Sequence, residues 1–251
     1  MSGYICGENA RTGNKKKCAQ EGNMAAAVCT AVLGTAYVYL KKKDKPKALV
    51  CKALATFMPA LLLLRAFPDV GQGKIPPPLF GWTLAALVFY IAADVLLECR
   101  FVAGAVTFSL GHLCMTAGFL TGGELRWADG KESGEAVCLA AGGVLLSLML
   151  VAAAWFVLRK YIPHLKAKKL FRPALMYVSI LSAMAALAIL AGICTGGTEG
   201  LLTASGGISF VISDILLGMN RLGRKRSGRR GAAVLILYYL SVYFLSVRVW
   251  I

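Results

Sequence analysis

Residues 79–97 read LFGWTLAALVFYIAADVLL, nineteen positions with one charge, Asp94, and no proline. A helix rising 1.5 Å per residue needs about 20 such residues to cross roughly 30 Å of hydrocarbon. The run is continuous rather than alternating, so it reads as neither a half-buried strand nor a barrel staple, and lipid tolerates only helices or closed barrels. This stretch predicts a transmembrane helix.

Seven further runs share its character: Met24 to Leu40, Ala48 to Ala66, Phe101 to Leu120, Ala136 to Leu158, Pro173 to Ile193, Gly200 to Met219 and Ala232 to Trp250. With 58% hydrophobic residues, 16% charged residues and mean hydropathy +0.67, the chain carries more apolar surface than one water-soluble core could bury. The fold class expected is all-α, a polytopic membrane bundle of about eight helices. A polar tail over residues 1–23 precedes a transmembrane domain over 24–251. The linkers are short, and the longest, Thr121 to Glu135 and Tyr161 to Arg172, hold no motif.

A net charge of +16 invites a nucleic-acid reading, but its distribution points to a membrane. Lys41, Lys42, Lys43, Lys45 and Lys47 lie between the first two runs, with Lys52 just inside the second. Arg100 follows the third. Arg159, Lys160, Lys166, Lys168, Lys169 and Arg172 separate the fifth and sixth, and Arg221, Arg224, Lys225, Arg226, Arg229 and Arg230 follow the seventh. One face thus gathers 19 of the 28 basic residues, and the positive-inside rule makes it cytoplasmic with both termini opposite. Arg11 and Lys15 to Lys17 pull the other way and are outvoted. They also give the first run the look of a signal peptide, yet Lys41 to Lys47 stands where a small-residue cleavage site would be, so a retained helix is expected. The eight cysteines show no metal or redox spacing. Cys6 and Cys18 could pair outside the membrane or remain free thiols.

An internal repeat links the third and seventh runs. Tyr90-Ile91-Ala92-Ala93-Asp94-Val95-Leu96-Leu97 parallels Phe210-Val211-Ile212-Ser213-Asp214-Ile215-Leu216-Leu217 at an offset of 120 residues, and the same offset pairs Lys52 with Arg172. Four helices per unit preserve orientation, so a duplication would be parallel, about an axis along the membrane normal. Chance likeness between leucine-rich helices is the plainer alternative.

Asp94 and Asp214 need a reason to exist, because a carboxylate at mid-helix costs about 2.5 to 3.5 kcal/mol even on the lenient insertion scale. The topology puts both at matching depth near the cytoplasmic end, where Lys52, Tyr238 and Tyr239 also enter. His112 lies nearer the midplane. Glu98, one turn beyond Asp94, reads as interfacial and solvated. Asp94 could instead pair with Lys52 for packing alone, and His112 could be a hydrogen-bonded packing residue. Phe101, Gly104, Phe108, His112, Met115 and Phe119 share one face of the fourth run, as a packing surface or as the wall of an acyl-chain tunnel.

At these positions the chain resembles the lysoplasmalogenase family of multi-pass membrane hydrolases. The matching pieces are Lys52-Ala53-Leu54, Ala93 to Leu97, the Phe101 to Phe119 stripe, Ser213 to Leu217 running on to Asn220-Arg221, and Tyr238-Tyr239. The family often has Gly at Ala93, an aromatic at Met115 and at Leu222, and Gln at Val242, the last a polar group missing here near the site. The resemblance implies cleavage of the vinyl ether bond of choline or ethanolamine lysoplasmalogens to fatty aldehyde and glycerophospho-alcohol, in a bacterial cell membrane or a eukaryotic endoplasmic reticulum. Asp94 and Asp214 would be the catalytic acid/base pair, and Lys52, His112, Tyr238, Asn220 and Arg221 would bind substrate. The partners implied are a lysophospholipid and membrane lipids, with no nucleic acid, cofactor or metal; the oligomeric state stays open. An ion-coupled carrier or lipid scramblase using the same aspartates is the rival reading.

Overall fold

The computed structural model describes residues 22, 24–125, 133–223 and 227–250. The expectations for the tail (Gly22 apart), the Cys6 and Cys18 pair, Arg11, Lys15 to Lys17 and Arg224 to Arg226 lie outside those residues. The described chain is helical throughout: α1 (Met24–Leu40), α2 (Lys45–Leu64), α3 (Phe67–Gly71), α4 (Pro77–Cys99), α5 (Phe101–Thr121), α6 (Ser133–Leu158), α7 (Ile162–Ala167), α8 (Phe171–Thr195), α9 (Gly197–Leu222) and α10 (Gly228–Val247). Seven helical stretches are long and apolar enough to cross a membrane, with α2 running on into α3 and α6 into α7, and the apolar α1 is the shorter eighth. The eight expected segments are all present, and the protein is an integral, multi-pass membrane bundle.

Local chemistry sets the helix boundaries. Asp44 caps α2 by accepting the Lys47 amide at 3.2 Å, and Pro46 fits the first turn where no amide partner is needed. The Lys47 side chain holds the Asp44 carboxyl below its usual range. Ser227 caps α10 by accepting from the Arg230 amide. Between α8 and α9 the chain reverses on Gly196 and Gly197, both at positive φ (+69° and +59°), which only glycine adopts cheaply.

The packing follows the repeat. α4 lies on α5 as α9 lies on α10, and α2 on α4 as α8 on α9. Each half also reaches across to the other: α10 packs on α2 as α5 packs on α8. α1 touches α2 through a Thr30 to Ala55 hydrogen bond, as α6 packs on α8. Most of α6 faces outward, with Val144, Leu148, Met149 and Phe156 exposed to the lipid. The 120-residue offset seen in the sequence thus corresponds to an arrangement in which the main contacts between the spanning helices of one half have counterparts in the other.

The two ends of the bundle differ. At the basic end Lys41, Glu98 and Arg221 meet. At the opposite end Arg248, its side chain 1% exposed, donates to Glu124 at 2.8 Å, to Thr83 at 3.2 Å and to the Met115 sulfur, with its guanidinium 3.8 Å from the Phe119 ring centroid. Burial pushes the Glu124 carboxyl up and Arg248 pulls it back.

Close helix approach depends on glycine at a few points. A Cβ on Gly104 would sit 2.5 Å from the Leu97 backbone nitrogen, whereas one on Gly142, on lipid-facing α6, would meet nothing within 4 Å. Gly104→Ala is therefore expected to push α4 from α5 and cost about 1–3 kcal/mol. Gly142→Ala should be neutral or stabilise by about 0.5–1 kcal/mol. Thermal unfolding of both variants in the same detergent checks the contrast, and equal midpoints would refute it.

Candidate active site

α2, α4 and α10 converge on Asp94, which is 1% exposed. Lys52 lies one turn before Thr56 on α2, so both side chains share the face turned to α4. Lys52 Nζ stands 3.1 Å from Asp94 Oδ1, and Thr56 and Tyr238 both donate to Oδ2, the latter at 2.9 Å. Lys52 also donates to the Asp94 carbonyl at 3.3 Å. The carboxylate thus has a cation and two hydroxyls around it, the company that makes an ionised acid tolerable away from water.

Asp214 sits in different surroundings. Its Oδ2 accepts from the Tyr177 hydroxyl of α8, and His112 Nε2 of α5 stands 4.0 Å away, beyond hydrogen-bond range. No Lys or Arg pairs with Asp214 among the described residues, and Arg172, the repeat counterpart of Lys52, is exposed. The two aspartates therefore occupy equivalent positions with unequal electrostatics: a paired charge on one side, neutral hydrogen-bonding groups on the other.

Both aspartates open on one cavity of about 430 Å³, lined also by Tyr37 of α1, Lys42 of the turn after it, Lys52, Glu98, Phe108, Ser213, Asn220, Arg221 and Tyr238. An aromatic cluster packs against it, of which Phe108 and Tyr238 are in the lining. Tyr90, Phe108, His112, Phe210 and Tyr238 pack ring to ring, with centroids 4.7 to 6.3 Å apart. Its mouth is charged, with Tyr37, Lys41 and Arg221 all donating to Glu98 Oε1, at 2.8, 3.0 and 3.2 Å. Lys42 has no ionic partner among the described residues. Nor does any cluster of three metal-ligating side chains occur among them.

Of the residues expected to form the site, Asp94, Asp214, Lys52, Tyr238, Asn220 and Arg221 line this cavity, while His112 stands behind Asp214. Asn220 has its carbonyl engaged by the Ser227 amide at 2.9 Å, so it also clips α9 to α10. Tyr239 stays outside the cavity, against Gly34. One expectation is corrected, and one choice left open by the sequence is decided. Glu98 is not a solvated interfacial residue: it is the hub of the mouth, because Tyr37, Lys41 and Arg221 all need its one anion. The α5 stripe is a packing surface rather than a tunnel wall, since Met115 and Phe119 are fully buried in the core and only Phe108 of the stripe reaches the cavity.

Thr56, Tyr37, Tyr90 and Tyr177 were not legible as site residues. Thr56 and Tyr37 each lie one turn from a lysine, and Tyr90 one turn from Asp94, spacings that place them on the same helix face. Tyr177 has the weakest signal, one hydroxyl in a leucine-rich run.

The lysoplasmalogenases of Mycobacterium bovis and Mycobacterium tuberculosis are each 31% identical to the chain over 147 residues, 56% of this chain and 49% of theirs. The chain thus spans about half the length of the curated relatives it matches. No solved structure gives a significant match. The YhhN family pattern matches residues 50–249, from α2 through the end of α10, and the chain belongs to the YhhN family.

Proposed function

We propose that this protein is a membrane-embedded hydrolase that cleaves the vinyl ether bond of lysoplasmalogens, with Asp214 as the proton donor and Asp94 as a fixed anion. One observation carries the reading: two buried carboxylates in unlike surroundings open on one cavity. The likeness to curated lysoplasmalogenases supports it.

Enol ether hydrolysis needs an acid that protonates carbon, a base and stabilisation of the cation between them. Desolvation without a nearby cation favours the neutral form of a carboxyl, and a paired, hydrogen-bonded carboxyl favours the ion. Asp214 therefore enters protonated and gives its proton to the β-carbon of the alkenyl chain. The π electrons form that C–H bond, leaving an oxocarbenium ion. Asp94, held by Lys52, Thr56 and Tyr238, offers the opposing charge, as carboxylates do in glycoside cleavage. Water adds to the cationic carbon and returns a proton to Asp214. The hemiacetal then breaks its bond to the glycerol oxygen, which takes up the hydroxyl proton, and fatty aldehyde leaves.

The lysolipid phosphate is received at the mouth. Lys42 is free of ionic partners among the described residues, and Arg221 can turn from Glu98 to a phosphate oxygen. Under the positive-inside rule the mouth faces the cytoplasm and both ends of the bundle's chain lie opposite.

Incubating purified protein with a panel of lysolipids and measuring fatty aldehyde tests the function. We expect aldehyde only from vinyl ether substrates. Asp214→Asn and Asp94→Asn, each verified as folded, should lower its release by roughly a hundred- to ten-thousand-fold. Near-normal release from either variant would sink the mechanism, and lipid flux in liposomes without hydrolysis would favour a carrier instead. Lys52→Met should do damage of a different kind. It strands the Asp94 charge, and a midpoint drop reflecting about 3–5 kcal/mol is expected. Thermal unfolding reads that loss, and an unchanged midpoint would mean that the pair does not hold α2 to α4.

A further inference from the structure

The 120-residue offset sets Tyr90 and Phe210 at equivalent positions, both fully buried, with their rings 5.2 Å apart in the aromatic cluster beside the cavity. They differ by one hydroxyl. A side chain kept aromatic in both halves but hydroxylated in one directs attention to what that oxygen does, because a buried phenol without a partner costs about 1–3 kcal/mol.

The Tyr90 hydroxyl stands 2.9 Å from His112 Nδ1, its one hydrogen-bond partner among the described residues. On the other side of the ring, Nε2 is buried, lacks a hydrogen bond and faces Asp214 Oδ2 at 4.0 Å. The imidazole is wedged between Phe210, with centroids 4.7 Å apart, and Tyr90, at 5.3 Å. Gly111 lets α5 come this close, since a Cβ there would lie 2.4 Å from the Tyr90 ring.

A neutral imidazole carries one N–H, and the two tautomers leave different accounts. With the proton on Nδ1, His112 donates to Tyr90, the phenol proton then has no acceptor, and Nε2 presents a lone pair to Asp214 across the 4.0 Å gap. With the proton on Nε2, Tyr90 donates to Nδ1 and the remaining N–H faces Asp214. Both arrangements keep the long contact to Asp214, and only the second leaves no orphaned phenol proton.

We propose that Tyr90 is a positioning residue that fixes His112 as the Nε2–H tautomer, so that the ring holds a donor toward Asp214. While Asp214 is protonated, the 4.0 Å gap costs little. Once Asp214 has given its proton away, the new carboxylate gains this N–H by a closing of about 1 Å, beside the Tyr177 hydroxyl already on Oδ2. A donor that strengthens as charge develops lowers the barrier without tightening substrate binding. That kinetic consequence rests on the hydrolase reading; the tautomer does not.

The protein has two histidines, and His164 lies exposed on α7, so full-length His164→Gln labelled with ¹⁵N-histidine reports His112 alone. In nanodiscs at neutral pH we expect the Nε2–H pattern, and in Tyr90→Phe a shift toward Nδ1–H or a mixture. Aldehyde release by Tyr90→Phe should show kcat lower by about tenfold with KM within about twofold, the loss of one hydrogen bond felt in the transition state. An Nδ1–H or doubly protonated ring without the Tyr90 change overturns the proposal, and that spectrum needs no Tyr90 variant to fold. So does a Tyr90→Phe protein with unchanged tautomer and kcat. If the expected tautomer is found and responds to Tyr90→Phe, but no lysolipid yields aldehyde, the hydrolase reading fails and the tautomer assignment stands.

Discussion

Lipid gives an ionised side chain no water, so each charge inside the bundle must find its counter-charge in the fold. The Lys52 and Asp94 pair meets that constraint, and much of the architecture follows from it. It needs α2 beside α4, and the hydroxyls that complete the carboxylate's shell come from α2 and α10. Three helices far apart in the chain are thereby fixed to one point. The aromatic cluster then packs against a rigid wall. A buried ion pair is a poor source of stability compared with an apolar pair of the same shape, which is why its retention here points to use rather than to packing.

The repeated helix arrangement lets one chain hold two carboxyls in unlike surroundings. Both aspartates take a hydroxyl from the spanning helix that precedes their own, Thr56 for Asp94 and Tyr177 for Asp214. Both are approached by the helix that follows in the opposite half, through Tyr238 and His112. On this common frame one half carries a buried lysine where the other turns its arginine outward. A symmetric scaffold thus holds an asymmetric pair, and the difference lies in a handful of side chains rather than in the backbone.

Hydropathy was enough to read the helices, because a span's length and continuity are properties of the local chain. The two aspartates stood out for a related reason: a charge in a lipid-spanning run is conspicuous wherever it points. What surrounds them was not legible to the same degree. Tyr177 is indistinguishable in the sequence from a tyrosine facing lipid, and only the contact of α8 with α9 gives it a role. Glu98 looked solvated because the sequence shows its nearness to the helix end but not the three donors brought to it by α1 and α9. The α5 stripe was ambiguous between wall and core, since periodicity says which residues share a face and not what lies opposite. Close packing under Phe119 and Met115 decided it.

Arg248, folded back under Phe119 and bound to Glu124 and Thr83, has a bearing beyond the anchoring of the last helix. Together with the buried aromatic cluster, it packs the bundle on the side of the acids away from the mouth. On the proposed reading, water and protons would reach the buried acids from the mouth, and the chemistry would run without short-circuiting the electrochemical gradient across the bilayer. On the hydrolase reading proposed above, both the lysolipid and the released aldehyde would belong to the leaflet at the mouth, and turnover would alter the composition of that leaflet alone.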